Sequence, residues 1–580
     1  MEDESLPFNS SELQKQSSFT LDSHSSAISR HISKKQNSRT TKSSQAILSK
    51  LTINKLRFDE SHLYGRGDDL KKLQDVFEKS KESRQLLLLR GEAGTGKSAL
   101  SAQLKSTVRR SGGIYVTGKF DYQQQETPLF GISMACQDLC RTILSLRPDD
   151  SSEVFGSSRT IQLMPSFDEV QSKLRSEIGA ETQVLATLAP RILDILGEDH
   201  AVDNETFDFE KSKGLFHSAF RRWIRAVGSF GPLVVVLDDL QLADVASLDF
   251  IQSMLDDKDN PGLMVICTYR TEEVDDKHPL LETIRRIEEN ANEGAGITAI
   301  DVENLSIEHL NSMFRDVLNL HGDTAYGLAS CVHRKTMGNA FFAIQLLKSL
   351  SERGLLTYNL GSSSWTWDIK SIERVVVATE NVVDLLKSNL EKLPKDVCEL
   401  IPVIASLGST FSSTTASYAI DYFHDKVKSM GKEERGIPQK IKEKKLNDTK
   451  GGEILDLCLK EGFIEEQSES RYRWIHDKIQ EAVLALMKSA NLSNMQYQLG
   501  ELLLEEWSET EIRANIFIIV DLLGKNRGSL PDEGPKEKIR MARLCVKAGD
   551  KAIRIASFST IILTEALIFF PMITGKNTTT

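Results

Sequence analysis

The residues from Gly91 to Ser98, GEAGTGKS, have the types and spacing of a phosphate-binding loop. Glycines at positions 91, 94 and 96 permit backbone angles that side chains forbid, so successive N–H groups turn inward around a phosphate. Lys97 then reaches the terminal phosphates, and the Ser98 hydroxyl holds Mg²⁺. An incidental glycine-rich turn is the alternative, but the loop directly follows the apolar run Leu86–Leu89. The sequence therefore predicts a nucleoside triphosphate site. The loop residues predicted to contact the nucleotide are Gly91, Glu92, Ala93, Gly94, Thr95, Gly96, Lys97, Ser98 and Ala99.

Two adjacent acids, Asp238 and Asp239, follow the apolar run Leu233–Leu237 and supply the carboxylate that a magnesium site needs. We assign Asp238 to the Mg²⁺ ion, together with Ser98. Asp239, or a group beside it, is predicted to orient or deprotonate the attacking water. An ordinary strand that ends in an aspartate turn is the alternative, and the phosphate-binding loop upstream argues against it.

A cation, Arg270, follows the apolar run Met264–Thr268. Ligands bind outside the carboxyl ends of parallel strands, so this side chain is expected near the terminal phosphate. Two interpretations stay open: Arg270 senses that phosphate, or it forms a surface ion pair with Glu272 or Glu273. The predicted catalytic residues are Lys97, Asp239 and Arg270.

Short apolar runs alternate with helix-length segments from Leu63 to about Val302. This alternation is typical of a parallel sheet covered by helices, so the predicted fold class is α/β for a P-loop core at residues 59–303. A polar, mostly helical insertion is expected at about residues 145–228. The predicted strands are Leu86–Leu89, Ile114–Thr117, Leu233–Leu237, Met264–Thr268 and Ile297–Val302.

After residue 302 amphipathic helices dominate, and two segments share one pattern. In each, a helix stops at a glycine, Gly354 or Gly462, and a short hairpin follows, which is typical of a winged-helix unit. We therefore expect a helical lid with a first winged-helix-like segment at 304–395 and a second helical or winged-helix domain at 396–490. The Lys-rich stretch 426–450 is interpreted as a solvated loop. Helices that begin a repeat-like array, with an atypical C-terminus, are expected at 491–580.

Composition limits the class of protein. A net charge of −11 argues against broad attraction to nucleic acid, and seven scattered cysteines, an odd number, favour reduced thiols over a disulfide framework. Residues 1–58 are Ser-rich and basic, so a disordered, solvated tail is expected; a phosphorylation target or weak localisation signal is the alternative. The apolar stretch Ile555–Ile573 contains Glu565 and Pro571, which favours a packed terminal helix over a membrane anchor.

With these residues in hand, the chain resembles the STAND branch of P-loop NTPases, the signal-transducing relatives of AAA proteins. More closely, it resembles the origin-recognition-like AAA ATPase domain of multidomain sensor kinases and transcription regulators. The family's lid motif usually has proline where Ala340 stands, and Leu242 replaces a common tryptophan. The matching segments are LYGRGDDL (Leu63–Leu70), GEAGTGKSAL, GKFD (Gly118–Asp121), LDDLQLAD (Leu237–Asp244), TYRTEEVDDKHPL (Thr268–Leu280), RKTMGNAFF (Arg334–Phe342) and IHDKIQEA (Ile475–Ala482).

The resemblance implies a switch that is ADP-bound and closed at rest, and ATP-bound and open when signalled, with slow hydrolysis as the timer. It also implies that Tyr64, Gly65 and Arg66 lie near the adenine. His476, just before a helix, is implied to contact the ADP phosphate. The alternative is that His476 caps this helix or packs beside Asp477.

The predicted function is thus an ATP-binding and slowly ATP-hydrolysing regulatory switch that uses ATP or ADP and Mg²⁺, in the cytoplasm or the nucleus. Protein partners are expected at the C-terminal helices, with nucleotide-dependent self-association as a further option; DNA and membrane partners are not expected. Two other classes stay open: an initiator-type DNA-binding AAA ATPase, and a nucleotide-binding scaffold without significant hydrolysis. Against DNA, the helix Phe341–Arg353 offers only Lys348 and Arg353.

Overall fold

The computed structural model of the chain falls into two units, Met1–Arg57 and Phe58–Thr580. Apart from residues 56 and 58, the predicted tail 1–58 lies outside the described residues, as does the apolar stretch Ile555–Ile573. All helices and strands given below belong to the second unit. The described residues are 56, 58, 62–121, 127–147, 165–178, 182–197, 209–260, 262–290, 295–320, 324–362, 364–378, 390, 393–429, 449–468, 470–524 and 535–554.

Five parallel strands form the central sheet. They are β1 (Gln85–Gly91), β2 (Ile114–Lys119), β3 (Leu233–Asp238), β4 (Leu263–Arg270) and β5 (Gly296–Asp301). Their order across the sheet is β2-β3-β4-β1-β5, and each neighbouring pair is parallel. Parallel neighbours need long crossover connections, and helices occupy them. The predicted α/β fold class, a parallel sheet covered by helices and followed by mainly helical regions, is confirmed.

The helices around this sheet form two layers. They are α1 (Gly67–Ser80), α2 (Lys97–Ala102), α3 (Leu104–Arg110), α4 (Phe130–Leu144), α5 (Phe167–Ile178), α6 (Thr182–Ala186), α7 (Ile192–Leu196), α8 (Phe209–Gly228), α9 (Val245–Leu255) and α10 (Pro279–Asn290). Side chains alternate between the two faces of a strand, so each face has its own apolar core. Leu87, Val236 and Ile266 pack against α1–α3, whereas Leu88 and Val235 pack against α4–α9.

The three inner strands, β1, β3 and β4, are buried on both faces over most of their length. Val234, Leu237 and Ile266 have no exposed surface, and burying each such side chain stabilises the fold by about 1.5–3 kcal/mol. The sheet is therefore a rigid platform, and the loops at its carboxyl edge are held in place by the strands that precede them.

A helical layer with a hairpin follows the sheet. Its elements are α11 (Ile307–Val317), α12 (Tyr326–Thr336), α13 (Ala340–Glu352), β6 (Leu356–Asn359), β7 (Ser364–Trp367) and α14 (Ile369–Ala378). Strands β6 and β7 are antiparallel. Gly354 follows α13 with a φ of 71°, in the left-handed region that ends helices.

A second helix-and-hairpin unit comes next. Its elements are α15 (Lys395–Ala405), β8 (Thr410–Ser412), α16 (Ser413–Ser429), α17 (Lys450–Glu461), β9 (Ile464–Ser468), β10 (Arg471–Trp474) and α18 (Asp477–Leu484). The three strands form an antiparallel sheet in the order β8-β10-β9. The chain continues with α19 (Ser489–Glu506), α20 (Glu509–Ala514), α21 (Ile516–Gly524) and α22 (Pro535–Arg554).

The predicted solvated loop at 426–450 is wrong at both ends. Helix α16 continues to Ser429, because Lys426 lies over the Tyr422 ring and its ammonium donates to Gln498 Oε1 at 3.1 Å. Helix α17 begins at Lys450, where the Thr449 side chain accepts the Gly452 N–H. Residues 430–448 lie outside the described part of the chain. The other domain limits stay predictions.

A helix that crosses a bilayer needs about 20 predominantly apolar residues. In the part of the chain that the structure describes, no helix is both long enough and apolar enough to cross one.

Candidate functional site

The glycine-rich loop joins β1 to α2 and adopts a backbone that only glycine takes easily. Gly94 and Gly96 have φ values of 84° and 100°. A Cβ atom on Gly94 would lie 2.7 Å from Asn339 Oδ1, so this position also needs the smallest residue because another segment approaches it. Gly96 is the residue that precedes α2. The loop therefore has the strand–loop–helix geometry in which N–H groups surround a phosphate.

Lys97 lies folded against this loop. Its ammonium donates to the carbonyl oxygens of Gly91 and Glu92, each at 2.7 Å. Burial lowers the pKa of Lys97, while the nearby carboxylates of Asp239 and Asp238 act in the opposite direction. The ammonium group of Lys97 therefore lies at the mouth of the loop, where the sequence predicts the terminal phosphates.

Ser98 and Asp238 meet at the edge of the sheet. The Ser98 hydroxyl donates to both carboxylate oxygens of Asp238, at distances of 3.0 and 2.9 Å. Thr268, on the neighbouring strand β4, donates its hydroxyl to Asp238 and accepts the Asp239 N–H at 3.0 Å. A hydroxyl beside a carboxylate is a donor set of hard oxygens that suits Mg²⁺, which usually takes few protein ligands. These two residues therefore fit the predicted metal.

Asp239 lies in a different environment from Asp238. It is buried and has a φ of 59°. Its Oδ2 is 3.0 Å from the Lys119 ammonium, and its Oδ1 accepts from Arg270 Nε and Gln241 Nε2, both at 3.1 Å. Burial opposes ionisation, but Lys119 and Arg270 outweigh it and hold the pKa of Asp239 well below its usual range. The carboxylate is ionised and is committed to two cations.

Asp477, the first residue of α18, reaches the same two cations. It lies 2.9 Å from the Lys119 ammonium and forms an ion pair with Arg270. Arg270 also pairs with Glu273 at 2.8 Å. We call Lys119, Asp239, Arg270, Glu273 and Asp477 the charged cluster. It joins the second helix-and-hairpin unit to the carboxyl edge of the central sheet.

The surroundings of Arg270 bear on the two interpretations left open for it. The pair with Glu273 is present, but Arg270 is buried, so this pair is not on the surface. Glu272 accepts the N–H of Ala93 in the glycine-rich loop instead. Burial lowers the pKa of Arg270, but Asp239 and Asp477 outweigh it and raise the pKa above its ordinary value.

His476 precedes α18 and caps it. Its Nδ1 accepts the Lys478 N–H at 3.1 Å, which leaves the ring proton on Nε2. The ring stacks on Phe341, with centroids 3.9 Å apart and an interplanar angle of 19°. Burial lowers the pKa of His476 to about 4, so the ring is neutral at pH 7 and has one N–H to donate. The capping alternative is thus present, and it is compatible with a phosphate contact through Nε2.

The low pKa of His476 predicts a loss of stability in acid. The folded ring binds a proton only near pH 4, whereas an unfolded histidine binds one near pH 6.5. The unfolded chain therefore takes up more protons between these values, and stability falls as the pH falls through this window. From pH 7 to 4.5 the free energy of unfolding should fall by about 2 kcal/mol more in the parent than in His476→Asn. Asparagine keeps the helix cap but does not titrate.

Urea unfolding of both proteins at the two pH values measures this difference. Other acidic groups titrate equally in both proteins and cancel in the comparison. An equal pH dependence in parent and variant would show that the ring is not held neutral.

The predicted adenine segment is tied to the glycine-rich loop. Arg66 is buried and donates to the carbonyl oxygens of Thr95, at 2.9 Å, and Glu303. The Tyr64 hydroxyl donates to Asp316 at 2.9 Å. A Cβ on Gly65 would lie 2.4 Å from the His309 ring. The segment thus bridges the loop and helix α11, while its contact with adenine remains a prediction.

Sequence reasoning assigned no role to several residues of this site. Asn339 Nδ2 donates to the Ala93 carbonyl at 2.8 Å, and the Phe341 N–H donates to Gly94 O at 3.1 Å. Lys119 and Asp477 belong to motifs that the resemblance included without a role. Only Lys119 had a usable signal, since a charged residue just after a predicted buried strand lies at the functional edge of a parallel sheet.

The family comparison agrees with this geometry. Residues 62–266 match the family model of the AAA ATPase domain, so this part of the chain is an AAA ATPase domain. The AAA ATPase domain contains the glycine-rich loop, both acids and Lys119. The match ends within β4, so Arg270 and the remaining helical regions lie beyond it. The predicted resemblance to AAA ATPases is confirmed.

Two further comparisons found known proteins to which the chain is similar. The chain is 22% identical over 418 residues to hybrid signal transduction histidine kinase G of Dictyostelium discoideum, which covers 60% of this chain. The chain spans only 11% of that relative's length.

Among solved structures, a Pyrococcus horikoshii STAND protein with a tetratricopeptide repeat sensor has a TM-score of 0.38 at 13% identity, covering 89% of this chain and 59% of that chain. The Walker-type ATPase of Pyrococcus abyssi has a TM-score of 0.31 at 16% identity, with coverages of 74% and 99%. Drosophila ORC bound to DNA has a TM-score of 0.31 at 12% identity, with coverages of 77% and 94%.

Proposed function

We propose that this chain is an ATP-binding and slowly ATP-hydrolysing regulatory switch of signal transduction, of the STAND type, with an ADP-bound resting state and an ATP-bound active state. One observation carries the proposal. Asp477, from the second helix-and-hairpin unit, shares Lys119 and Arg270 with Asp239 at the carboxyl edge of the sheet. A change at the nucleotide therefore acts directly on the contact that holds the two parts together.

The glycine-rich loop and Lys97 bind the phosphates in this proposal. The loop N–H groups donate to the phosphate oxygens, and Lys97 exchanges its carbonyl partners on Gly91 and Glu92 for the terminal phosphates. Ser98 and Asp238 hold Mg²⁺, which, when bound, neutralises negative charge on the phosphates. The Nε2–H of His476 is oriented by its helix cap and donates to the phosphate of ADP.

The charged cluster makes the site a switch. Arg270 senses the γ-phosphate in the active state, and it pairs with Asp477 in the conformation described above. One guanidinium cannot serve both anions fully, so binding of ATP and docking of α18 oppose each other. A ligand shifts such an equilibrium only by the difference in its affinity for the two states. Here the difference arises because the γ-phosphate of ATP and the carboxylate of Asp477 compete for Arg270.

Partners and compartment follow from this function. The C-terminal helices α19–α22 are proposed to receive or pass on the signal through protein contacts, and the ATP state is proposed to favour self-association. We place the protein in the cytoplasm or the nucleus, with no stable contact to DNA.

The nucleotide that purifies with the protein tests the proposal. Mass spectrometry of the denatured, gel-filtered chain should find ADP at close to one per chain, because a resting switch retains its diphosphate. Titration of stripped protein with Mg-ADP and Mg-ATP should then give measurable affinity for both. Folded protein that carries no nucleotide and binds neither compound would refute the function.

Asp239→Asn should separate binding from hydrolysis. In the proposed ATP state Arg270 turns to the γ-phosphate, which frees one Asp239 oxygen to orient the attacking water and take its proton. The amide cannot take that proton, so ATP turnover should fall by roughly 100-fold or more, the usual contribution of a general base. Affinity for Mg-ATP should stay within about threefold, since Lys97, Ser98 and Asp238 are untouched. Phosphate release and equilibrium binding measure the two quantities. Asp249→Asn, which removes a half-buried carboxylate on α9 that pairs with Arg286, is the control. Turnover in Asp239→Asn equal to that of the parent would remove Asp239 from the chemistry.

A further inference from the structure

The peptide groups of Ala93, the third residue of the glycine-rich loop, are held from two directions. Its carbonyl accepts from Asn339 Nδ2, at the start of α13. Its N–H donates to Glu272 Oε1 at 2.8 Å. One of the amides at the mouth of the loop is therefore already bonded to an anionic group that belongs to the chain itself.

The sheet register explains why Glu272 reaches this position. Strands β1 and β4 pair in parallel so that Gly91 lies beside Arg270. Both strands end at this pair, and Glu272 lies in the short 3-10 turn Thr271–Glu273 that follows β4. Because neighbouring strands are only about 4.8 Å apart, this turn lies close to the loop that follows β1, where Glu272 accepts the Ala93 N–H.

Glu272 differs from its neighbour Glu273 in what it does. Glu273 neutralises Arg270 within the charged cluster. Glu272 is exposed and has the Ala93 N–H as its partner, and its carboxylate is near enough to Lys97 to favour the charged ammonium. A negative charge bonded to the loop therefore acts on the cation that the terminal phosphates require.

We propose that Glu272 is a specificity-determining residue of the nucleotide site, whose carboxylate disfavours a third phosphate and so biases the site toward the diphosphate. This inference rests on the proposed function. A γ-phosphate brought to Lys97 meets a like charge already bonded to the lip of the loop, whereas ADP has no phosphate at that end. Glu272 acts on binding selectivity and takes no part in bond cleavage.

Glu272→Gln tests the charge alone. The glutamine carbonyl still accepts the Ala93 N–H, so the loop keeps its hydrogen bond and loses only the repulsion. We expect the affinity for a non-hydrolysable Mg-ATP analogue, the imido compound, to rise about tenfold, while the affinity for Mg-ADP stays within about twofold. Calorimetric titration of the full chain, stripped of nucleotide, gives both constants without any turnover. Glu288→Gln, an isosteric change at an exposed site on α10, should leave both affinities unchanged.

The possible results distinguish a failure of the role proposed for Glu272 from a failure of the proposed nucleotide switch. An unchanged ratio of the two affinities in Glu272→Gln, with ADP still bound normally, overturns the inference and leaves the nucleotide switch intact. An equal gain for both nucleotides also overturns it, since the effect would then not depend on the γ-phosphate. Absence of binding to either nucleotide in folded parent and variant overturns both proposals.

Discussion

Lys97→Ala should weaken the binding of Mg-ADP by roughly 100-fold or more. In the proposed function this ammonium exchanges two carbonyl partners for phosphate oxygens. Each hydrogen bond to a charged group contributes about 1.5–3 kcal/mol, and two of them correspond to a factor of at least 100. Calorimetric titration with Mg-ADP measures the loss directly.

Lys105→Ala is the matched control for Lys97→Ala, because Lys105 is an exposed lysine on the next helix, α3. This control should bind like the parent. The circular dichroism spectrum of Lys97→Ala should match that of the parent, since Lys97 donates its two hydrogen bonds among the described residues to its own loop. A correctly folded Lys97→Ala protein with parental affinity would place the nucleotide somewhere other than the glycine-rich loop.

Asp477→Asn should open the closed state. The neutral amide no longer pairs with Lys119 and Arg270, and both cations then remain with Asp239 and Glu273. Removing one partner of a buried ion pair costs about 3–5 kcal/mol, and Asp477 is partly exposed, so the lower end applies. Dissociation of ADP should therefore accelerate at least about tenfold, and the ATP-occupied fraction at equal nucleotide concentrations should rise.

Stopped-flow release of a fluorescent ADP analogue measures this dissociation rate. Glu481→Gln provides the comparison on the same helix, because Glu481 is exposed and pairs with Lys478 three residues before it. That variant should release ADP at the parental rate. If Asp477→Asn also released ADP at the parental rate and kept the same bound nucleotide, the charged cluster would not control the switch.

Much of the AAA ATPase domain was predictable because its signals are local. The inner strands β1, β3 and β4 contain short apolar runs, since both faces of a parallel sheet are buried there. The glycine-rich loop needs its residues within eight positions, and the helix it precedes begins at once. Asp238 follows its strand directly, so its place at the edge of the sheet also follows from the chain order.

The predicted loop at 426–450 shows where local signals mislead. A run of lysines favours solvent and so predicts a loop, although the end of one helix and the start of another lie within it. In the structure Lys426 contacts the Tyr422 ring and Gln498, a residue far along the sequence. The aliphatic stem of a lysine can pack on an apolar surface while its ammonium group keeps a polar partner. Composition alone therefore does not decide where a helix ends.

The sequence by itself determined the parallel sheet, the phosphate-binding loop and the acid that follows β3, because each depends on residues close together in the chain. Only the tertiary structure decided that Asp239 is bound by Lys119 and Arg270, that Asp477 shares those cations, and that Glu272 reaches Ala93. These groups come from strand ends and a helix separated by up to several hundred residues. The sequence pattern around a charged side chain does not identify a distant ion-pair partner. Only folding brings these groups into a buried environment where pairing outweighs the cost of desolvation.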